Sequence, residues 1–164
     1  MLIKLPVVWI VILNIIGWLG IQLGLAWAFT RMPVRWFRPG PARTWEERGR
    51  FYERIFAIKR WKDHLPDAAH WFTGGFAKGT LNARNPEYLA RFACETWRGE
   101  LCHWLAIGCL PIFLLWNPWW GELINIAYAL AANLPCILAQ RYNRLRLAKM
   151  PGAGRNRPVR CNGL

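Results

Sequence analysis

The chain contains no serine at any of its 164 positions, and only nine of its residues are acidic. The absence of serine excludes a Ser-His-Asp nucleophile. None of the five cysteines pairs with another at CxxC spacing, so zinc-ribbon and thiol–disulfide motifs are also missing. The glycine-rich stretch at 74–80 lacks the GxxxxGK[ST] spacing of a nucleotide-binding loop. Cys102 adjoins His103, but neighbouring positions of a helix diverge by about 100°, so a Cys–His pair is not favoured. What remains is a histidine with carboxylate partners and nearby guanidinium groups.

Apolar residues are abundant instead. They make up 54% of the chain, which nevertheless carries a formal net charge of +13. A water-soluble domain cannot bury so much apolar surface with so few polar residues left to cover it. The apolar residues fall into runs at 5–29, 101–116 and 123–139, and the first exceeds the ~20 residues needed to cross a bilayer. The sequence predicts an all-α, polytopic membrane protein with about three transmembrane helices.

Basic residues flank one side of these runs. Residues 31–100 carry 14 lysines and arginines, residues 141–164 carry seven, and only Lys4 lies elsewhere. The positive-inside rule assigns both basic flanks to the cytoplasm. The prediction is a cell-membrane protein with its N-terminus outside the cell, a cytoplasmic segment at 30–100 and its C-terminus in the cytoplasm.

The first apolar run has a second interpretation as a cleaved signal peptide, because Ala26-Trp27-Ala28 is similar to a cleavage site. The run is longer than the ~7–15 apolar residues of a signal peptide, and Arg31 follows it closely, which favours a retained anchor. Residues 1–150 are then one membrane-embedded domain, and 151–164 are predicted to be a disordered basic tail.

The cytoplasmic segment is predicted to hold an amphipathic interfacial helix. Thr44-Trp45-Glu46-Glu47 resembles a capping box that opens a helix to about Trp61. Tyr52 and Ile55 continue an apolar stripe among arginines, a pattern typical of a helix lying in an anionic membrane surface. Packing of this helix on the rest of the protein is the alternative. Nucleic acid is not favoured as a partner, because the charge flanks membrane spans.

Three further motifs carry structural predictions. Asn85-Pro86-Glu87 is a strong helix start, and without a breaker before Pro111 this helix should run straight into the second apolar run. Gly20-x-x-x-Gly24 predicts close contact with a neighbouring helix. The odd number of cysteines predicts free thiols.

Ionisable residues gather at the start of the second apolar run. The run 101–116 spans only roughly 24 Å as a helix, against ~30 Å of hydrocarbon, so Glu100 and His103 should lie at the membrane boundary. Ionisable groups there are costly and usually functional. At about 100° per residue, Glu95, Glu100 and His103 can share one side of the helix.

A helical hairpin would bring a second polar cluster to the same depth. With its tip near Trp119, Arg98 comes level with Gln140, and Glu95 comes level with Asn143. A headgroup-anchoring belt with structural ion pairs would give the same arrangement, but acids at this boundary favour a functional site. The later cluster consists of Gln140, Arg141, Asn143 and Arg144.

Such a site suits direct acyl transfer. His103 is predicted to be the general base that takes a proton from a bound hydroxyl, with Glu100 or Glu95 as its orienting partner. The basic surroundings suit coenzyme A or an acyl-carrier protein as the donor, used as a cosubstrate without a bound cofactor or metal. Three arginines are predicted to contact the donor or an oxyanion: Arg98, Arg141 and Arg144.

Four blocks carry a family resemblance: WLGIQLGLAWAFTRMP, FYERIFAIKRWKDHLPD, ETWRGELCHWLAIGCLPI and INIAYALAANLPCILAQRYNRLRL. Across about residues 18–147 the chain resembles the glycosyl-4,4'-diaponeurosporenoate acyltransferases, membrane enzymes of the last step of staphyloxanthin synthesis. The pattern E-T-x-R-x-E-L-x-H-W, followed by N-x-P-x-x-x-x-Q-R-Y-N-R, is specific in order and spacing.

This resemblance implies that the chain esterifies a sugar hydroxyl of a glycosylated carotenoid with a fatty acyl chain. The shared blocks add Trp61, Lys62 and Asp67 to the candidate substrate-binding residues. Another glycolipid acceptor is an alternative. A non-catalytic membrane scaffold for a lipid or pigment pathway and another small membrane transferase are the competing functions.

Overall fold

The computed structural model describes residues 3–40, 43–65, 75–76 and 85–150. Within these ranges the chain is helical and contains no strand. The predicted site residue Asp67 and the predicted tail at 151–164 lie outside the described residues. The α-helices are α1 (Val7–Arg31), α2 (Arg50–Phe56), α3 (Pro86–Gly108) and α4 (Trp119–Leu147).

In the described part of the chain, three helices are long and apolar enough to cross a membrane: α1, α4, and α3 together with the 3-10 helix Leu110–Leu115 that follows it. This confirms the predicted all-α class with three membrane helices. Asn14 contacts Asn117, and Gln22 contacts Asn133, so α1 and α4 run in the same direction. α3 and α4 form the predicted antiparallel hairpin.

The start of α3 follows its sequence signal. The Asn85 side chain accepts a hydrogen bond from the Tyr88 backbone amide at 2.8 Å, and Pro86 occupies the first helical turn. Backbone amides in the first turn of a helix have no acceptor within the helix. Proline, which lacks the amide proton, therefore costs no hydrogen bond there. The helix continues to Gly108 without a break, which confirms that the lead-in helix runs into the second apolar run.

The predicted continuous helix from Thr44 to Trp61 is wrong. This stretch forms the 3-10 helix Thr44–Gly49, then α2, then the 3-10 helix Ile58–Arg60. Left-handed backbone at Gly49 (φ 99°) and Ala57 (φ 45°) interrupts the helical path on either side of α2.

This segment packs on α4, as the alternative interpretation proposed. Tyr52 and Ile58 are buried and form one core cluster with Tyr142 and Leu145 of α4. The left-handed residue Gly49 lies against the Tyr142 ring, where a Cβ atom would come within 3.3 Å of that ring.

Two other predictions fail. Gly20 and Gly24 face open space, since a Cβ atom at either position would meet no atom within 4 Å. The polar residues with which α1 contacts α4 lie on a different side of the helix, and Gly17 makes the close approach instead. Cys94 is disulfide-bonded, so the prediction of free thiols is wrong there, although Cys109 and Cys136 are free.

Enlarging Gly17 tests the close approach. A Cβ atom at Gly17 would lie 3.0 Å from the ring of Phe113, which is fully buried. Gly17→Leu should therefore destabilise the fold by about 1–3 kcal/mol through overpacking. Gly20→Leu, one turn away in open space, should change stability little. Unfolding in detergent micelles measures both variants, and equal loss of stability in the two would contradict the packing.

Candidate functional site

Six charged side chains on α3, α4 and the 3-10 helix Thr44–Gly49 form two groups of ion pairs, one around Glu100 and Arg141 and one between Glu95 and Arg98. The carboxylates of both groups are each 1% exposed, so they are removed from water and depend on protein partners. We term the two groups together the ionic layer: Glu46, Glu95, Arg98, Glu100, Arg141 and Arg144.

Glu100 joins the two helices of the hairpin. One of its oxygens accepts a hydrogen bond from Arg141 Nη1 at 3.1 Å, and the other accepts one from Arg144 Nη2 at 2.6 Å. The Arg144 guanidinium also lies over the Trp97 ring, 4.9 Å from its centroid. Two polar groups distant in sequence thus meet at one depth, as the predicted hairpin register required.

Glu46 is a member of the ionic layer that sequence reasoning took for part of a helix cap. Its carboxylate accepts hydrogen bonds from Arg141 Nε at 2.5 Å and from the Tyr52 hydroxyl at 2.9 Å. The Arg43 backbone amide donates a third bond, at 2.8 Å. A hint was available, because acids are rare in this chain and Glu46 stands among arginines.

These bonds keep Glu46 ionised. Burial raises the pKa of the Glu46 carboxyl, but the hydrogen bonds from Arg141, Arg43 and Tyr52 outweigh burial and hold that pKa below its ordinary value. Burial and the adjacent carboxylate raise the pKa of Tyr52, so its hydroxyl keeps the proton that it donates. Arg141 is therefore held between two carboxylates, those of Glu46 and Glu100.

Glu95 and Arg98 form a second buried pair. Arg98 Nη2 lies 2.6 Å from Glu95 Oε2, one helical turn away on α3. Arg98 Nη1 also donates to the Met32 carbonyl oxygen at 3.4 Å, which ties the end of α1 to the layer. The structure thus pairs the two predicted residues with each other.

His103 lies one helical turn after Glu100 on α3 and is half-buried. Its Nδ1 atom lies 2.9 Å from Oδ1 of Asn133 on α4. The orienting carboxylate that the sequence suggested stays a prediction, whereas the amide contact is present in the structure. Asn133 was missed, although it opens the pattern N-x-P-x-x-x-x-Q-R-Y-N-R and interrupts an apolar run.

Two predicted binding residues offer unused polar atoms. Gln140 Oε1 and Arg144 Nη1 are buried and have no hydrogen-bond partner among the described residues. These residues are one helical turn apart on α4, so an acceptor and a donor lie side by side at the layer. Asn143 is half-buried in the same stretch.

The remaining predicted residues lie on the segment that packs on α4. Lys62 pairs with the neighbouring Asp63. Trp61 donates a hydrogen bond to the Phe56 carbonyl oxygen at 2.8 Å and forms one wall of an apolar groove of about 310 Å³. The other walls come from α4: Leu130, Ala131, Leu134, Pro135 and Leu138.

Glu100→Gln tests the energetic weight of the layer. The change leaves Arg141 and Arg144 without the carboxylate they share, so stability should fall by about 3–5 kcal/mol, as for a broken buried ion pair. Glu87→Gln, which removes an exposed carboxylate from the same helix, should change stability by less than about 0.5 kcal/mol. Denaturant titration in detergent gives both values, and a loss no greater than the control's would contradict the structural role.

Comparison with known proteins gives the relationship. The model of the glycosyl-4,4'-diaponeurosporenoate acyltransferase family matches residues 33–152, which include the whole ionic layer. The chain is 33% identical over 138 residues to the glycosyl-4,4'-diaponeurosporenoate acyltransferases of Staphylococcus aureus strains USA300, Newman and MRSA252, and the match covers 81% of this chain and 82% of each relative. No solved structure matches the chain. The resemblance seen in the sequence is confirmed, and the chain belongs to the glycosyl-4,4'-diaponeurosporenoate acyltransferase family.

Proposed function

We propose that this chain is a multi-pass membrane enzyme that transfers a fatty acyl group to a sugar hydroxyl of a glycosylated carotenoid or a related glycolipid. The name of its relatives gives an acyl transfer and a glycosylated carotenoid acid as acceptor. The observation that carries the proposal is a histidine, held by an amide, beside a buried layer of arginines and carboxylates.

The proposed reaction is a single displacement. His103 takes the proton of the sugar hydroxyl while the hydroxyl oxygen attacks the carbonyl carbon of an acyl thioester. The new C–O ester bond forms, the C–S bond breaks with its electron pair moving to sulfur, and the imidazolium returns the proton to the leaving thiolate. No covalent enzyme intermediate is required, which agrees with a chain that contains no serine.

The ionic layer is proposed to hold the reacting carbonyl. Arg144 Nη1 has no hydrogen-bond partner among the described residues, so it can donate to the oxyanion that develops there. Gln140 Oε1, one turn away, can accept from a sugar or donor group. Arg141 is held by two carboxylates, which suits it to positioning more than to binding. Glu95 and Arg98 support the layer through each other.

The apolar groove is proposed to take the acyl chain. It extends along α4 from Leu130 to Leu138, roughly 12 Å at 1.5 Å per residue. Leu138 is one helical turn from Arg141, so a hydrocarbon chain in the groove would point its carbonyl end at the ionic layer. Trp61 closes one side of the groove. A hydrogen bond from its indole nitrogen to the Phe56 carbonyl oxygen orients the ring.

The site is proposed to face the cytoplasm. Arg98 contacts Met32, at the end of α1 that is followed by Arg35 and Arg38. The ionic layer therefore lies at the basic end of the helices, which the positive-inside rule assigns to the cytoplasm. Coenzyme A and acyl-carrier thioesters are water-soluble and anionic, so a basic cytoplasmic face suits them as donors.

Removing the imidazole tests the proposed base. His103→Ala should lower ester formation by about 10²–10⁴-fold, because general-base catalysis contributes about that factor. The assay uses purified protein in proteoliposomes with acyl-CoA or acyl-carrier protein and a glycosylated carotenoid, with the ester detected by mass spectrometry. His64→Ala, at an exposed position, is the matched control and should keep full activity.

The same assay separates the competing functions. Full activity in His103→Ala would remove histidine from the mechanism. A wild-type protein that forms no ester with either donor, but restores product when other pathway enzymes are added, would favour the scaffold. Product that depends on a donor of another class, such as a methyl donor, would identify a different transferase.

Filling the groove tests the acyl-chain site. Ala131→Trp should lower kcat/KM at least about tenfold for a 16-carbon acyl donor and leave a 4-carbon donor nearly unaffected, because only the long chain needs the groove. Ala127→Trp, one turn further from the layer and outside the groove lining, is the control. An equal loss for both chain lengths, or no loss at all, would argue against the assignment.

A further inference from the structure

Three buried asparagines recur at intervals of eight residues along α4 and the turn before it: Asn117, Asn125 and Asn133. Each is matched by a side chain of α1, and these α1 residues recur at intervals of four. We term this set the asparagine ladder. Its contacts are Asn14 Nδ2 to Asn117 Oδ1 at 2.9 Å, Trp18 Nε1 to Asn125 Oδ1 at 2.8 Å, and Gln22 Nε2 to Asn133 Oδ1 at 3.4 Å.

Asn125 and Asn133 are placed alike. They are 3% and 0% exposed, and each donates from Nδ2 to the carbonyl oxygen four residues earlier, that of Gly121 or Ala129. Each accepts at Oδ1 from α1. Their donors on α1 differ, Trp18 Nε1 for Asn125 and Gln22 Nε2 for Asn133. In the described part of the chain, Asn133 Oδ1 also contacts His103 Nδ1 at 2.9 Å. A role in helix packing therefore accounts for both asparagines, but it does not account for the histidine.

The contact with Asn133 determines which nitrogen of the His103 ring carries the proton. Because Asn133 Nδ2 donates to the Ala129 carbonyl, the amide orientation is set, and Oδ1 acts only as an acceptor. His103 Nδ1 must then carry a proton to form the bond. A neutral imidazole has one N–H, so its basic lone pair is on Nε2.

We infer that Asn133 is a positioning residue that fixes the tautomer and ring orientation of His103 and makes Nε2 its basic atom. An amide suits this depth, because it orients a neutral imidazole without adding a charge where charges are costly. The consequence for catalysis rests on the proposed function, whereas the tautomer is a property of the protein alone.

The tautomer is measured by ¹⁵N NMR of histidine-labelled protein in detergent at pH 8, above the ordinary pKa of ~6.5. The His103 signals are assigned by their loss in His103→Ala. We expect the proton on Nδ1 in the wild type. Asn133→Leu, which removes the acceptor, should shift the proton toward Nε2, and Asn133→Asp should keep it on Nδ1 because a carboxyl oxygen still accepts.

Asn125→Leu is the matched control, since it removes an asparagine that also bonds to the carbonyl four residues earlier and also accepts from α1, but whose bonds in the described part of the chain do not include the histidine. It should leave the His103 spectrum and kcat unchanged. Asn133→Leu should lower kcat by about 10- to 100-fold, by analogy with the loss of the outer hydrogen-bond partner of a metal-bound histidine, with KM nearly constant. Asn133→Asp should restore most of that loss.

Three results would overturn the inference: a wild-type His103 with its proton on Nε2, an equal spectral change in Asn125→Leu, or an unchanged spectrum in Asn133→Leu. The wild-type spectrum decides alone if the leucine variant does not fold. If His103→Ala stays fully active while the tautomer behaves as expected, the positioning by Asn133 is supported and only the proposed base fails.

Discussion

A carboxylate and two guanidinium groups buried between helices cannot exist separately at low energetic cost. Glu100 is 1% exposed, and its two oxygens are bonded by Arg141 and Arg144. Burial of any one of these charges alone is strongly unfavourable, whereas the group together is tolerated because each charge finds its partner. This requirement sets the register of α3 against α4. It also recruits the segment 43–65, since Arg141 takes its second carboxylate, Glu46, from there.

The side-chain contacts between the helices differ in kind along their length. Toward the N-terminal end of α1 the contacts are neutral amides and an indole, such as Asn14 with Asn117 and Trp18 with Asn125. Toward the other end they become ion pairs. Interhelical hydrogen bonds between neutral groups contribute about 0.6–2 kcal/mol each in membranes, and they avoid the cost of buried charge. His103 lies where the neutral asparagine ladder meets the ionic layer. A proton gained by its ring would therefore add a charge next to side chains that are already charged.

The elements that could be predicted from the sequence are those governed by local or one-dimensional rules. Hydrophobic run length predicted three membrane helices, the Asn85-Pro86 signal predicted the start of α3, and the short turn between the last two runs predicted the hairpin register. The partners of Glu46 and Asn133 could not be predicted in this way. Glu46 reaches Arg141 only because Gly49 and Ala57 turn the chain back onto α4, and left-handed backbone at an alanine leaves no sequence signal. Asn133 looks like an isolated polar residue until α1 and α3 are placed against it.

The position of the site follows from the chemistry that it is proposed to serve. An acyl thioester of coenzyme A or a carrier protein has its charged part in water and its acyl chain in lipid. A glycosylated carotenoid is divided in the same way, with its sugar in water and its carotenoid chain in lipid. In the proposed reaction the thioester carbonyl and the sugar hydroxyl would therefore meet at the membrane boundary, and neither apolar tail would have to leave the bilayer. The groove beside Trp61 is lined by apolar side chains, and the charged ionic layer begins one helical turn away along α4. At this depth the amide of Asn133 contacts the His103 ring without adding a charge of its own.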